Sequence, residues 1–377
     1  MSFVLTEDQE SIRRSAKKLV EERAPIAQLR ALRDTNDPVG YSRDLWKQMA
    51  ELGFAGMTLP ETYGGAGLGL AELGLVLEEC GRRLVASPLL ASLLLGGGAI
   101  DVAGSEPQKQ QWLPRIARGE AIVALAHEEG SRHARYEVAA RAVPVEGGWA
   151  VSVEKTMVVD GHVADAIVVV ARTSSRGNDG LTLFVVRRDV QGLDVLRRAT
   201  IDGRNVAFVR LDGVHASSDS VVGIVGRGAD VLDRVLDRAT IGLSAEMLGG
   251  MQEAFEQTIA YLKIRKQFGV PIGSFQALKH RAAQMFCEIE LVRSLVVAAL
   301  RAADAGTDDV ALLASAVKAR ASDVFVQVAN EAVQMHGGIG VTDELDIGFF
   351  LKRARVTEMM LGAAAHHRDR FARLSGY

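Results

Sequence analysis

The hydrophobic period changes twice along these 377 residues, from helical to alternating and back, and that double switch leaves few folds open. In the first third Ile12, Ala16, Leu19 and Val20 recur at helical spacing. They follow Thr6-Glu7-Asp8-Gln9, where an N-cap oxygen and a Gln three residues on form a capping box. Ser42 is placed to cap a second helix burying Leu45, Trp46, Met49 and Leu52. YGGAGLG (63–69) reads as a loop before an apolar helix over 70–84. Ser105 caps a further helix, with a Pro two residues inside its start. The middle reads differently: 149–161, 165–173, 181–189 and 205–213 are short, β-branched and bounded by Gly, Asp or Asn, which predicts strands. From about residue 229 the helical period returns. One helix carries Leu243 to Leu262, a second Phe275 to Leu300, and a third runs from a Thr307 cap to Met335. With a fourth near the C-terminus they predict a four-helix bundle. The expected fold is α+β multidomain: an all-α domain over 1–120, a β-barrel or sandwich domain over 121–228, and the bundle over 229–377.

Composition narrows the function classes. A net charge of −3 with both signs interspersed offers no basic face for nucleic acid. The most apolar run, 85–100, contains Ser, Pro and Gly, so no membrane span is expected. Cys80 and Cys287 are far apart, and the start is acidic and unlike a signal peptide; a cytoplasmic protein is expected. The eight histidines show no HExxH-type spacing. His366 and His367, adjacent on a helix, diverge by about 100°, and no metal site is expected.

RKQFGVPIGSFQ (265–276) interrupts the bundle pattern. Arg265 offers a fork of donors for phosphate oxygens. Gly269 and Gly273 permit close backbone approach. Phe268 offers a flat apolar face and Gln276 a donor–acceptor pair. The residues are compatible with a nucleotide clamp or with a helix corner whose arginine makes a surface ion pair.

This stretch resembles the C-terminal motif R-x-x-F-G-x-x-I-x-x-x-Q of acyl-CoA dehydrogenases, and the resemblance covers nearly the whole chain. PETYGGAGLG (60–69), GSEPQKQQWLPRIARGE (104–120), VEKTMVVDGHVADAIVVVAR (153–172) and QMHGGIG (334–340) resemble further family motifs, in the family's order. The resemblance implies FAD shared between the subunits of a tetramer. Arg265, Gln267, Phe268 and Gln276 would grip its pyrophosphate and adenosine, with Gln334, Gly337 and Gly338 on the same nucleotide. It also implies an acyl-CoA substrate and an electron-transferring flavoprotein as acceptor. The flavin ring would lie along LAHEEG (125–130), at Leu125 and His127, where the family has a segment like L-T-E-P-G. Its other edge would meet Met157 to Val159, where the family's hydroxyl is replaced by Val159.

The family's catalytic carboxylate is missing from both usual places. One position is Leu361, in VTEMMLGAAAHH (356–367), followed by Gly362; the other, 26 residues before Arg265, is Ala239. Four readings stay open. Another carboxylate serves, with Asp237 the candidate if the helix is irregular there. The chain is one subunit of a heteromer. The fold runs flavin monooxygenase chemistry. The chain is a non-catalytic, FAD-clamping partner. Glu344 and Glu358 read as structural, Glu358 pairing with Arg355.

Overall fold

A computed structural model describes residues 4–174 and 179–377. Six helices come first: α1 (Glu7–Arg23), α2 (Ile26–Asp34), α3 (Arg43–Glu51), α4 (Leu70–Arg82), α5 (Gly97–Ala103) and α6 (Glu106–Ala117). Strands β1 (Val123–Ala126), β2 (Arg141–Val145), β3 (Gly148–Val159), β4 (Ala166–Arg172), β5 (Leu181–Arg187), β6 (Leu193–Ala199), β7 (Asn205–Ser217) and β8 (Val221–Val222) follow. Then come α7 (Gly228–Ile264), the short strands β9 (Lys266–Gln267) and β10 (Val270–Pro271), α8 (Gln276–Ala305), α9 (Val310–His336), α10 (Ile347–Met359) and α11 (Ala364–Leu374).

Helix and strand segments change over where the sequence predicts, after about residue 120 and near 228. Spatial contacts group them otherwise, into two compact units. One holds residues up to Ala31, Leu70–Val85 and Thr240–Tyr377; the other holds Leu32–Gly69 and Ala86–Ala239. The helical first third is therefore divided between the two, and the division falls inside α7.

In the first unit the capping box at Thr6 and Gln9 forms as expected. The start of α4 is capped from elsewhere: Asp304, late in α8, accepts from the backbone N–H groups of Leu70 and Ala71 at 2.5 and 2.8 Å. α4 crosses α7 backbone to backbone. A Cβ on Gly81 would lie 1.9 Å from the Glu246 carbonyl oxygen, and one on Gly249 1.8 Å from that of Glu78. The expected fourth bundle helix is broken in two, α10 and α11, around Met360-Leu361-Gly362. α9 starts after Asp309 rather than Thr307, whose hydroxyl bonds that aspartate at 2.5 Å. Phe275, read as core, is exposed and ends the preceding turn.

In the second unit an eight-stranded sheet runs β6-β7-β3-β2-β4-β5-β8, with β1 parallel to β4. β4 and β5 are almost wholly buried, as continuous β-branched runs require. β1, β2, β6 and β8 escape the sequence reading. β1 and β8 are very short, and β6, LDVLRRA, is an edge strand pairing only with β7. The apolar run after Pro88 is a π-helix, Leu89–Gly96, entirely buried. Gly96 makes that possible, because a Cβ there would lie 2.3 Å from the Val123 carbonyl oxygen of β1. α3 is capped by Ser42 and buries Leu45, Trp46 and Met49, but Leu52 is exposed beyond its end.

Candidate functional site

In the helical unit, RKQFGVPIGSFQ folds as a two-residue hairpin, β9 against β10, with Phe268 and Gly269 at the turn. Both turn residues have positive φ, +55° and +81°. A left-handed L-residue costs roughly 1–2 kcal/mol, yet the residue held there is a phenylalanine that is 92% exposed. Its ring meets that of Phe275 edge-on, with centroids 6.2 Å apart. Arg265 anchors the hairpin by backbone alone: its N–H donates to the Tyr261 carbonyl (2.9 Å) and its carbonyl accepts from Ile272 (2.8 Å). Among the described residues no ion pair engages its guanidinium, which removes the surface-ion-pair reading of this corner. Gln276 opens α8, whose N-terminus has no side-chain cap. Gln267 and Gln276 are both exposed.

The second half of the expected clamp lies in the same unit. Gln334 is exposed near the end of α9, and Gly337 follows with φ +68° and ψ −147°, a region that only glycine occupies readily. Open space surrounds the place where a Cβ would stand on Gly337 and Gly338. Tyr261 stacks on His336 with ring centroids 4.4 Å apart, tying the helix before Arg265 to the residue before Gly337. An exposed strained aromatic, an unengaged guanidinium, an uncapped helix start and two open glycines are groups that fit a dinucleotide.

The sheet unit carries the residues expected along a flavin ring. Leu125 is buried on β1, in register with Val168 of β4. Met157 has φ +53°, is partly exposed and stands at the register shift between Lys155 and Val158, so it leaves the ladder. Val159 rejoins it opposite Val206. His127 is buried, which pushes its imidazole below the ordinary histidine value and keeps it neutral. Glu129, at the family's Pro position, takes an ammonium donor from Lys155 at 2.6 Å and backbone N–H groups of Ala139 and Ala140 at 2.7 and 3.2 Å. Burial lowers Lys155 to about 8 even with that partner.

Neither usual base position can hold a proton. Ala239 is fully buried within an uninterrupted α7. The irregularity that would let Asp237 serve in its place is therefore missing. Nor is Asp237 a solvated surface residue of the helix. It is buried, and its Oδ1 accepts from Arg135 at 2.8 Å, while Arg135 also reaches Asp233 at 2.9 Å. Sequence reasoning missed this network because Arg135 lies 102 residues away.

Leu361 is buried with φ +55°, and Gly362 follows at +104°. The turn is held by groups that sequence reasoning also missed. His367 bonds the Leu361 carbonyl at 2.9 Å, and Lys318, fully buried in α9, donates to the carbonyls of Gly362 (2.9 Å) and Glu358 (3.1 Å) and to Ser322 (2.9 Å). Its signal was a single lysine between Ala314 and Ser322 on a small-residue helical face. Glu358 pairs with Arg355 as expected, and Glu344 is exposed.

Burial holds Lys318 at about 7, against an ordinary 10.5. Between these values the unfolded chain keeps a proton that the native state has released. Stability therefore gains from this group as pH rises from about 7 towards 10.5. Lys318→Met is expected to flatten that rise, leaving the smaller same-signed share of Lys155; urea midpoints at pH 7 and pH 9.5 for both proteins measure it.

The comparisons with known proteins fall on these elements. The model of the acyl-CoA dehydrogenase N-terminal domain matches residues 6–120 and that of the C-terminal domain residues 226–375. A mitochondrial isovaleryl-CoA dehydrogenase of Solanum tuberosum is 31% identical over 328 residues, 85% of this chain and 79% of that one. The chain belongs to the acyl-CoA dehydrogenase family. Family members are oxidoreductases, and the helix–sheet–helix order described above is their fold. Two solved structures match this chain over nearly their whole length. One, described as a "Tcur3481-Tcur3483 steroid ACAD" variant, has a TM-score of 0.87 and 31% identity, covering 98% of both chains. The other, the ChsE4-ChsE5 complex from Mycobacterium tuberculosis, has a TM-score of 0.90 and 27% identity, covering 100% of this chain and 99% of its own. Among the described residues no helix is long and apolar enough to cross a membrane.

Proposed function

We propose that this chain is one subunit of a heterotetrameric, FAD-dependent acyl-CoA dehydrogenase, and that a related but unlike subunit supplies the carboxylate base. The observation that carries the proposal is the contrast between two sets of residues. The clamp residues are present and outward-facing, whereas Ala239 and Leu361 are buried hydrocarbon. The names of two solved structures that it resembles each join two unlike proteins, which supports the same reading.

Arg265 would bind the pyrophosphate, Phe268 and Gln276 the adenosine, and Gln334, Gly337 and Gly338 would bring backbone against the same nucleotide. Leu125, His127, Met157 and Val159 would flank a ring in this chain's own sheet unit through backbone groups, since Val159 offers no hydroxyl. FAD, when bound, supplies the acceptor for the hydride that leaves Cβ of the thioester. The proton on Cα must then go to a carboxylate of the partner subunit. Electrons would pass to an electron-transferring flavoprotein. Neither Cys80 nor Cys287 is in a disulfide, in keeping with a cytoplasmic setting.

A positioned base contributes about 10²–10⁴-fold. The chain purified alone is expected to oxidise acyl-CoAs slower by that factor than the same chain co-purified with its partner, with a ferrocenium salt as acceptor. Equal turnover by the lone chain overturns the proposal. Oxygen uptake with reduced flavin and no acyl-CoA would transfer the assignment to a monooxygenase.

A further inference from the structure

Three side chains with metal-binding atoms converge after β1, although their spacing in the sequence matches no metal motif. His127, Glu128 and His133 each bring one donor atom, and all three donors lie within 4.8 Å of one another. His127 Nε2 is 3.0 Å from Glu128 Oε1, and His133 Nδ1 touches the same oxygen. The two rings meet edge-on, with centroids 5.7 Å apart. We propose that His127, Glu128 and His133 form a site for one divalent late first-row transition ion, with zinc as the reference case.

Two imidazole nitrogens and one carboxylate oxygen are a donor set that suits zinc, cobalt and nickel. Metal–ligand bonds of about 2.0–2.2 Å in a tetrahedral shell place donors roughly 3.4 Å apart. The 3.0 Å between His127 Nε2 and Glu128 Oε1 needs only a sub-ångström opening, and His133 Nδ1, closer to the same oxygen, must open further. His127 Nε2 is buried and, despite its proximity to Oε1, has no hydrogen bond of acceptable geometry. An ion would satisfy that atom.

The backbone beneath the donors is fixed without any ion. The His127 carbonyl accepts from Lys155 Nζ at 3.3 Å and the Glu128 carbonyl from the Thr156 N–H at 2.8 Å, both on β3. Ala134 N–H donates to Glu128 Oε2 at 3.3 Å, leaving Oε1 to the histidines. Outer contacts of this kind orient ligands for a metal. The site needs no flavin and no partner subunit, so it stands or falls separately from the proposed function.

The test uses the full chain, stripped with a chelator and titrated with zinc chloride and with cobalt chloride by calorimetry and visible absorbance. One ion per chain is expected, with micromolar or tighter affinity and cobalt d–d bands. Outer-shell changes alone cost about 10–100-fold in affinity, so His133→Gln and Glu128→Gln should each weaken binding at least tenfold and abolish the bands. His366→Gln should change neither. Circular dichroism without metal verifies that the variants fold. Absence of binding by the unaltered chain overturns the proposal whatever the variants do. So does undiminished binding in both folded loop variants, which would mark an adventitious ion only.

Discussion

Arg265→Ala protein is expected to emerge from purification nearly colourless, while the unaltered chain, with its partner, stays yellow. Hydrogen bonds to a charged group contribute about 1.5–3 kcal/mol, and each 1.4 kcal/mol is about tenfold in affinity. Losing the fork should therefore weaken FAD about 10–100-fold, measured by reconstituting the flavin-free assembly. Arg265→Lys should recover only part, because an ammonium cannot make the paired contacts of a planar guanidinium. The melting temperature without flavin should hardly move, since Arg265 is exposed and holds its hairpin through backbone bonds. Full flavin retention by Arg265→Ala would remove the pyrophosphate contact from the proposed clamp.

The largest loss of stability is expected from Arg135→Met. Arg135 is buried and bonds both Asp233 and Asp237, and Tyr136 donates its hydroxyl to Asp233 as well. Removing one member of a buried ion pair typically costs about 3–5 kcal/mol, because the partner's charge is left without compensation. Here Asp237 would lose the guanidinium deep within its unit. Urea denaturation of Arg135→Met should show that loss, and Asp237→Asn in the same chain should restore part of it. A loss below 1 kcal/mol would mean that Asp237 is compensated by other groups or by water once the guanidinium is gone. Asp237→Asn alone should leave the turnover of the assembled enzyme unchanged, because the carboxylate faces Arg135 and α7 is unbroken beside it.

What could be read in the sequence was local. The capping box at Thr6 and the cap at Ser105 form because each needs only four neighbouring residues, and at Ser105 the structure completes a box with Gln108 as well. The buried strands β4 and β5 and the helices α7, α8 and α9 follow from long, consistent hydrophobic periods. β6 was hidden because an edge strand with solvent along it has no need of an apolar run. The π-helix was hidden because a buried, uniformly apolar segment has no face to give a period away. The residues of the proposed clamp were picked out by their types together with the family resemblance, while the positive φ of Phe268 was not legible, since nothing in a phenylalanine foretells it. Arg135, Lys318 and His133 were missed for a common reason: each matters through a polar partner chosen by tertiary structure, and an isolated charged residue in a sequence reads as solvated surface.

The close approach of α4 and α7 at Gly81 and Gly249 has a mechanical consequence. Two helices that touch through bare backbone tolerate little change of register, for a side-chain carbon at either crossing glycine would run into the facing carbonyl. Shear between packed helices, one of the ordinary ways in which proteins yield around a ligand, is thereby denied to α4 and α7. Whatever compliance this pair retains must come from bending or turning as one piece, and neither glycine can drift to alanine unless the crossing itself is rebuilt.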